Sequence, residues 1–360
     1  IYTVSPVLYF WITLSRRHFE RSLQSIEGIT MTLFKLTLLA KACIITGLAL
    51  TSPTLIAAEK TIPELVDAVN GTPDAASREA GKKVKLRNHT KGFCTSGYFA
   101  PNPELQDSLT IPFFNQSQIK VTARFSLGGT NPQISDKTPG RFMSLKIDGD
   151  KENLNFVTTN VPVFFASNLD DFFTFQTKVK QGAEGKQWLI DNKPNAKAFF
   201  DYVKQLPPSP SFANSRYFGV NSFLFTDKQN NSVAGKWIFE PVAGTAALSA
   251  SELANLGDDF LKAELLQRIN TQPAQWNLYI QLAESGDDIN NPTVIWPETR
   301  KRLLVGQVVI NGDRDSDSQV QQCDKGIFNP LLLPKGIAPS ADPILNARTA
   351  AYVESFIRRQ

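Results

Sequence analysis

The 360-residue chain contains two histidines, His18 and His89. His18 falls in a segment read below as lying ahead of the working protein, so any imidazole chemistry rests on His89, which opens the stretch "HTKGFCTSGYF". One imidazole can serve as the base for a nucleophile or as a proton shuttle beside a cofactor. The sequence has no GxSxG elbow, and Cys94, five residues on, has no evident activating neighbour, which argues against a hydrolase. Multi-histidine metal sites fail for want of ligands. Cys94 and Cys323 form no CxxC or Cys/His cluster, so a zinc ribbon or cysteine-held cluster is excluded; whether the two pair is left open. Asp313, Asp315 and Asp317 begin like a calcium loop but lack its glycine and closing glutamate, and read as a solvated loop. In "DPILNARTAAYVESFIRRQ" Arg348 and Tyr352 stand four residues apart on one helical face. A guanidinium beside a phenol favours phenolate, and phenolate is a haem-iron ligand. The same pair also describes an ordinary helix surface.

These side chains need a frame. In Ile119–Leu127, "IKVTARFSL", apolar and polar residues alternate, so Arg124 and Ser126 share one face of a strand. "FMSLKI" and "LNFVTTNVPVFF" continue the extended pattern, and "YFGVNSFLFTD" with "GKWIFEP" reads as a hairpin across "KQNNSVAG". The Phe-rich run "PVFFASNLDDFFTF" would ordinarily be core, with Phe173 or Phe175 as its buried members. "NAKAFFDYVKQL" predicts a helix that stops at Pro207-Pro208. A longer helix is expected from a capping box at Ser249 and Glu252 through Ile269, and a last one over Pro343 to Arg359, capped by Asp342. Strands first and helices without regular alternation indicate α+β, with enough antiparallel strands for a barrel.

Five collinear segments resemble haem catalases: His89-x-Lys-Gly-x-Cys-x-x-Gly-x-Phe99, "RFS" at Arg124–Ser126, "NVPVFF" at Asn160–Phe165, "VIWP" at Val294–Pro297, and "GIAPSADPILNARTAAY" ending at Tyr352. The match spans roughly residues 60 to 360 and is most similar to the small catalase-related peroxidases. The resemblance implies a catalase-type antiparallel β-barrel with flanking helices, and haem b buried between the barrel and the C-terminal helix. It makes His89 the distal acid/base that moves a proton between the oxygens of peroxide, and Tyr352 the iron ligand, with Arg348 stabilising its phenolate. Arg124 and Arg359 fall at propionate-binding positions, Ser126 at a residue that hydrogen-bonds the distal histidine, and Phe164, Phe165 and Phe172 at aromatics lining the distal side.

There are departures. Leu86 stands where large catalases carry an arginine three residues before the distal histidine, and Arg87 follows it. Thr159 replaces the distal asparagine, exchanging an amide donor for a shorter hydroxyl. That exchange disfavours oxygen release and favours turnover with an organic one-electron donor. "TPGRFMSL" departs from the usual arginine-glycine order.

The first methionine is Met31, and residues 31–58 read as a secretory signal peptide: Lys35 and Lys41, an apolar run from Cys43 to Leu50, then Ile56-Ala57-Ala58. Residues 1–30 read as an upstream or non-native segment, leaving 59–360 as one domain. A periplasmic or secreted location without a stable membrane anchor is expected. The formal charge is +4, and residues 1–58 hold five Lys/Arg and two Asp/Glu, so the remainder carries +1, which implies no nucleic-acid partner. The expected partners are peroxide and a small organic electron donor, and small members of the family are expected to form homodimers. The alternative is a non-catalytic periplasmic barrel that binds haem or another apolar ligand.

Overall fold

The structure is a computed structural model that describes residues 60–70, 88–312, 323 and 326–358. The leader, Leu86, Arg87, the Asp313–Asp317 run and Arg359 lie outside the described residues.

Eight antiparallel strands close in sequence order into a barrel: β1 (Gly92–Pro101), β2 (Ile119–Ser126), β3 (Phe142–Asp148), β4 (Asn153–Thr159), β5 (Tyr217–Thr226), β6 (Ser232–Pro241), β7 (Ala274–Leu282) and β8 (Arg302–Gly312), with β8 returning to β1. A short β9 (Ile337–Pro339) adds to β5 outside the ring. Alternation decides which side of the wall faces inward. Ile119, Val121, Ala123 and Phe125 of β2, Met143, Leu145 and Ile147 of β3, and Leu154 and Phe156 of β4 fill the interior with Trp237, Trp276, Leu278 and Ile310. Burying each large apolar side chain is worth about 1.5–3 kcal/mol. A one-residue slip would turn a strand's whole apolar set outward, so register is firmly set. Arg124, Ser126 and Thr159 therefore project from the outer face.

The barrel closes thinly between β4 and β5, where the register holds one pair, Thr159 with Phe218. Around the barrel lie α1 (Ile62–Asn70), α2 (Leu169–Val179), α3 (Gly182–Asn192), α4 (Pro194–Gln205), α5 (Ala250–Asn255), α6 (Phe260–Ile269) and α7 (Pro343–Ile357). Among the described residues no helix is long and apolar enough to cross a membrane.

The helix expected from Ser249 to Ile269 is two helices. The capping box forms as read, but the chain leaves helical geometry at Leu256. Lys91 Nζ then recruits the Asp258 carbonyl at 2.8 Å and the Asp259 carboxylate at 2.6 Å, besides Asp136 at 2.8 Å. With the Ile134 carbonyl at 2.8 Å, four oxygens surround one ammonium and outweigh the helical hydrogen bonds that Gly257 to Asp259 would have made.

The segment Leu169–Val179, read only as Phe-rich core, is a helix; Asn168 caps it by accepting from the Asp171 amide at 2.8 Å, and Phe175 is its buried member. The unusual "TPGRF" order also has a physical account. Arg141 is fully buried and donates to the carbonyls of Thr138, Gly140, Asp136 and Ser209 and to the Ser209 hydroxyl. Its guanidinium knots the β2–β3 loop to the chain entering β5.

Candidate active site

The outer face of β1–β4 presents one cross-strand row: Gly92 pairs with Ser126, Ser126 with Phe142, Phe142 with Thr159, and Thr159 with Phe218. Side chains on such a row share a face. His89 precedes the row by three residues, and its ring lies 4.2 Å from that of Phe142, centroid to centroid. His89, Ser126 and Thr159 thus border one patch of wall, although 70 residues separate the first from the last.

His89 has φ 53°, in the left-handed region that few non-glycine residues occupy. Its carbonyl accepts from Arg124 Nη2 at 2.9 Å. Arg124 is buried on the same face as Ser126, as the alternation predicted. Gly92 makes room for it: a Cβ there would stand 2.9 Å from Arg124 Nη2 and 2.6 Å from the Phe125 carbonyl oxygen. No side chain fits.

The His89 Nδ1 lies 3.2 Å from the Leu127 carbonyl oxygen. Since a carbonyl only accepts, Nδ1 carries the proton and Nε2 keeps its lone pair. That bond goes to the backbone one residue beyond Ser126, which is itself buried. Burial first, then the Arg124 and Arg348 charges, hold the imidazole pKa down at about 4, against the Leu127 hydrogen bond. The ring is a neutral base at ordinary pH.

The Arg348 charge reaches His89 from α7. Asp342 fixes that helix by accepting from the Ile344 and Leu345 amides at 2.8 and 3.4 Å and from Asn221 Nδ2 of β5 at 2.6 Å. Asn329 Nδ2 donates to Thr349 Oγ1 at 3.1 Å. At the far end Arg358 pairs with Glu354 at 2.6 Å and with Asp67 of α1. Held in this way, α7 presents Arg348 Nη1 2.9 Å from the Tyr352 hydroxyl oxygen. Among the described residues Arg348 Nε is buried without a hydrogen-bond partner.

Past Thr159 the chain runs into the aromatic segment. Phe164 stacks on Phe165 at 4.2 Å, Phe165 on Phe172 at 5.6 Å, and Phe165 on Phe175 at 3.8 Å. Phe164, Phe165 and Phe172 are half-buried, and Phe175 is buried among α2–α4. Thr159 Oγ1 accepts from the Val161 amide at 3.3 Å, which leaves its hydroxyl proton to donate elsewhere.

The structure thus brings His89, Arg124, Ser126 and Thr159 onto one wall, Phe164, Phe165 and Phe172 into one stack, and Arg348 and Tyr352 onto one helix. Sequence reading missed Phe142, which touches the His89 ring, the Leu127 carbonyl, and Asn88, whose side chain binds the backbone around His89. Backbone acceptors and local side-chain clips leave no mark in a motif. Phe142 alone had a signal, as the outward residue at the start of an alternating strand.

The site therefore combines a closed antiparallel barrel, an imidazole on its outer wall and an arginine–tyrosine pair on the last helix. The family model described as Catalase matches residues 82–360, and the chain belongs to the catalase family. It is similar to a catalase-related peroxidase of Synechococcus elongatus, 29% identical over 337 residues, covering 91% of this chain and 96% of that protein. A catalase-related peroxidase of Mycolicibacterium paratuberculosis is 26% identical over 303 residues, covering 82% and 93%. Among solved structures, catalase A from Saccharomyces cerevisiae superposes with a TM-score of 0.69 at 19% identity. That likeness is one of fold, and spans 79% of this chain and 63% of the yeast chain.

Proposed function

We propose that the chain is a haem-dependent peroxidase that reduces hydrogen peroxide or small organic hydroperoxides at the expense of an organic one-electron donor, with weak catalase activity. Membership of the catalase family and the two catalase-related peroxidases it resembles support a peroxide-metabolising oxidoreductase. The observation that carries the reading is the Arg348–Tyr352 pair at 2.9 Å on a helix whose charge also acts on His89.

The residues fit a haem. Tyr352 would offer its phenol oxygen to iron with the Arg348 guanidinium beside it, and among the described residues the buried Arg348 Nε has no hydrogen-bond partner, an atom that a bound group would satisfy. Arg124 supplies a planar fork suited to a propionate, and the Phe164–Phe165–Phe172 stack an apolar edge. Haem, when bound, supplies the iron at which peroxide takes up two electrons.

The chain's part is proton movement and exclusion of water. His89 Nε2 accepts the proton of the incoming peroxide and returns it to the departing oxygen, while Nδ1–H stays on the Leu127 carbonyl. Thr159 donates its hydroxyl proton toward the peroxide but cannot place the second donor that an amide offers. In sum, one hydrogen peroxide and two donor hydrogens give two waters and two donor radicals.

An exported protein working in antioxidant defence, with residues 31–58 removed, suits this activity, and so does haem b as the cofactor. The test is haem stoichiometry on purified protein, followed by dye oxidation and oxygen evolution with hydrogen peroxide on one sample. One haem per chain with dye turnover exceeding oxygen release is expected; a protein that takes up haem but turns over neither would be a binding barrel.

A further inference from the structure

His89 must hold its ring in place from a left-handed backbone, which for a non-glycine residue costs about 1–3 kcal/mol. Something has to fix it. Asn88 Oδ1 accepts from the His89 amide at 2.8 Å and from the Gly129 amide at 3.1 Å. The Gly129 carbonyl in turn accepts from the Thr90 amide and the Thr90 hydroxyl, each at 3.2 Å. The peptides on both sides of His89 are therefore fastened to one glycine of the β2–β3 loop, itself at φ 89°. Arg124 holds the carbonyl of the second of these peptides, that of His89, at 2.9 Å.

We propose that Asn88 is a positioning residue for peroxide activation: its side-chain oxygen clips Gly129 to His89 and so fixes where the His89 imidazole stands. The inference rests on the peroxidase reading for its kinetic consequence and on the chain's own hydrogen bonds for its structural one. An acceptor oxygen is the whole requirement, because both groups it binds are N–H donors. Asn88→Asp keeps that oxygen, whereas Asn88→Leu has nearly the same size and no acceptor. Loss of the clip leaves the costly φ unsupported and lets the ring drift, and a displacement of 1 Å in a reacting group can cost on the order of a hundredfold in rate.

Hydrogen exchange with mass spectrometry on the haem-loaded protein reads the clip directly. In Asn88→Leu, peptides covering 88–90 and 128–130 should exchange about tenfold faster, while the interior of β2 is unchanged. Stopped-flow mixing with hydrogen peroxide should show the spectral change of the haem slowing about tenfold or more at unchanged haem content. Asn88→Asp should restore both toward wild type. Asn88→Ala is the second acceptor-free variant and should behave as Asn88→Leu does, so the comparison survives a folding failure of either.

Unchanged exchange or an unchanged rate in the acceptor-free variants overturns the proposal. So does equal impairment of Asn88→Asp, or a rate loss that tracks loss of haem. A wild-type protein that fails to react with peroxide would instead sink the peroxidase reading, and the exchange pattern would still decide the clip.

Discussion

Arg348 donates from Nη1 to the hydroxyl oxygen of Tyr352 across 2.9 Å, one helical turn along α7. Asp342 ties the start of that helix to β5, and Asn329 binds Thr349 within the turn itself. The pair thus holds a guanidinium against the one phenol oxygen on this face of the helix that an iron would take.

Replacement of Tyr352 by Phe removes that oxygen and leaves a ring of the same shape. Haem content after purification, read from the Soret band against protein concentration, should fall severalfold or more. Arg348→Met should retain more haem than Tyr352→Phe, because the ligand remains, but with a changed spectrum. Full, spectrally unchanged loading of Tyr352→Phe would remove the residue from the iron.

His89→Ala should bind haem and lose the proton shuttle. General acid–base catalysis contributes about 10²–10⁴-fold, and the second-order rate constant with hydrogen peroxide should fall by a factor in that range. The measurement is stopped-flow absorbance at matched haem content. A rate within twofold of wild type would take His89 out of the mechanism.

The same imidazole sets a pH dependence. Its pKa of about 4 lies below the ordinary 6.5, since burial and two arginines penalise the charged ring. His89 therefore stays neutral through the mildly acidic range, and the peroxide rate constant should hold from pH 8 to about 5, then decline toward a midpoint near 4. An exposed imidazole would give a midpoint near 6.5, and finding one there would contradict this desolvation of the half-buried ring. Folding follows the same direction. The unfolded chain takes up a proton that the native ring refuses, so this contribution, up to about 3 kcal/mol, is full above pH 6.5 and is lost as pH falls to 4.

Much of the wall was legible in the sequence because strand alternation is a strong constraint. The alternation of "IKVTARFSL" puts Arg124 and Ser126 on one face, and the Arg348–Tyr352 contact follows from helical spacing. What escaped has a common cause. Lys91 ends one helix and starts another through oxygens of Asp136, Asp258 and Asp259, contacts up to 168 residues apart in sequence that no local propensity encodes. The His89 ring bonds to a carbonyl rather than to a neighbouring side chain, and every residue type offers a carbonyl. The Leu169–Val179 helix hid behind its phenylalanines, although Asn168 followed by Asp170 and Asp171 is a helix-start pattern.

Thr159 stands at the barrel seam, paired with both Phe142 and Phe218, and its hydroxyl oxygen is engaged by the Val161 amide. Thr159→Asn lengthens the side chain and adds an amide donor facing the same patch. A hydrogen bond worth about 1–1.5 kcal/mol corresponds to roughly tenfold in rate. Oxygen evolution relative to dye oxidation should rise by that order, measured with an oxygen electrode and absorbance on the same sample. No change in the ratio would mean that the distal donor does not decide between the two outcomes.

Cys94 and Cys323 form a disulfide, with Cα atoms 6.5 Å apart and 229 residues between them in sequence. Cys94 pairs across β1–β2 with Arg124, the residue that holds the His89 carbonyl, while Cys323 lies on the chain that leads into α7. The bond therefore ties the imidazole wall to the approach of the tyrosine helix. In the chain-entropy view a loop this long restrains the unfolded state by about 5 kcal/mol, of which native disulfides commonly deliver about 2–5. At roughly 2 °C per kcal/mol for a domain of this size, Cys94→Ser with Cys323→Ser should lower Tm by about 4–10 °C. A dithiol reductant should reproduce the shift in wild type and leave the double variant unaffected. Both cysteines are buried, so reduction should become fast only as the protein approaches unfolding. Rapid reduction at 25 °C without loss of Tm would show that the bond carries none of this restraint.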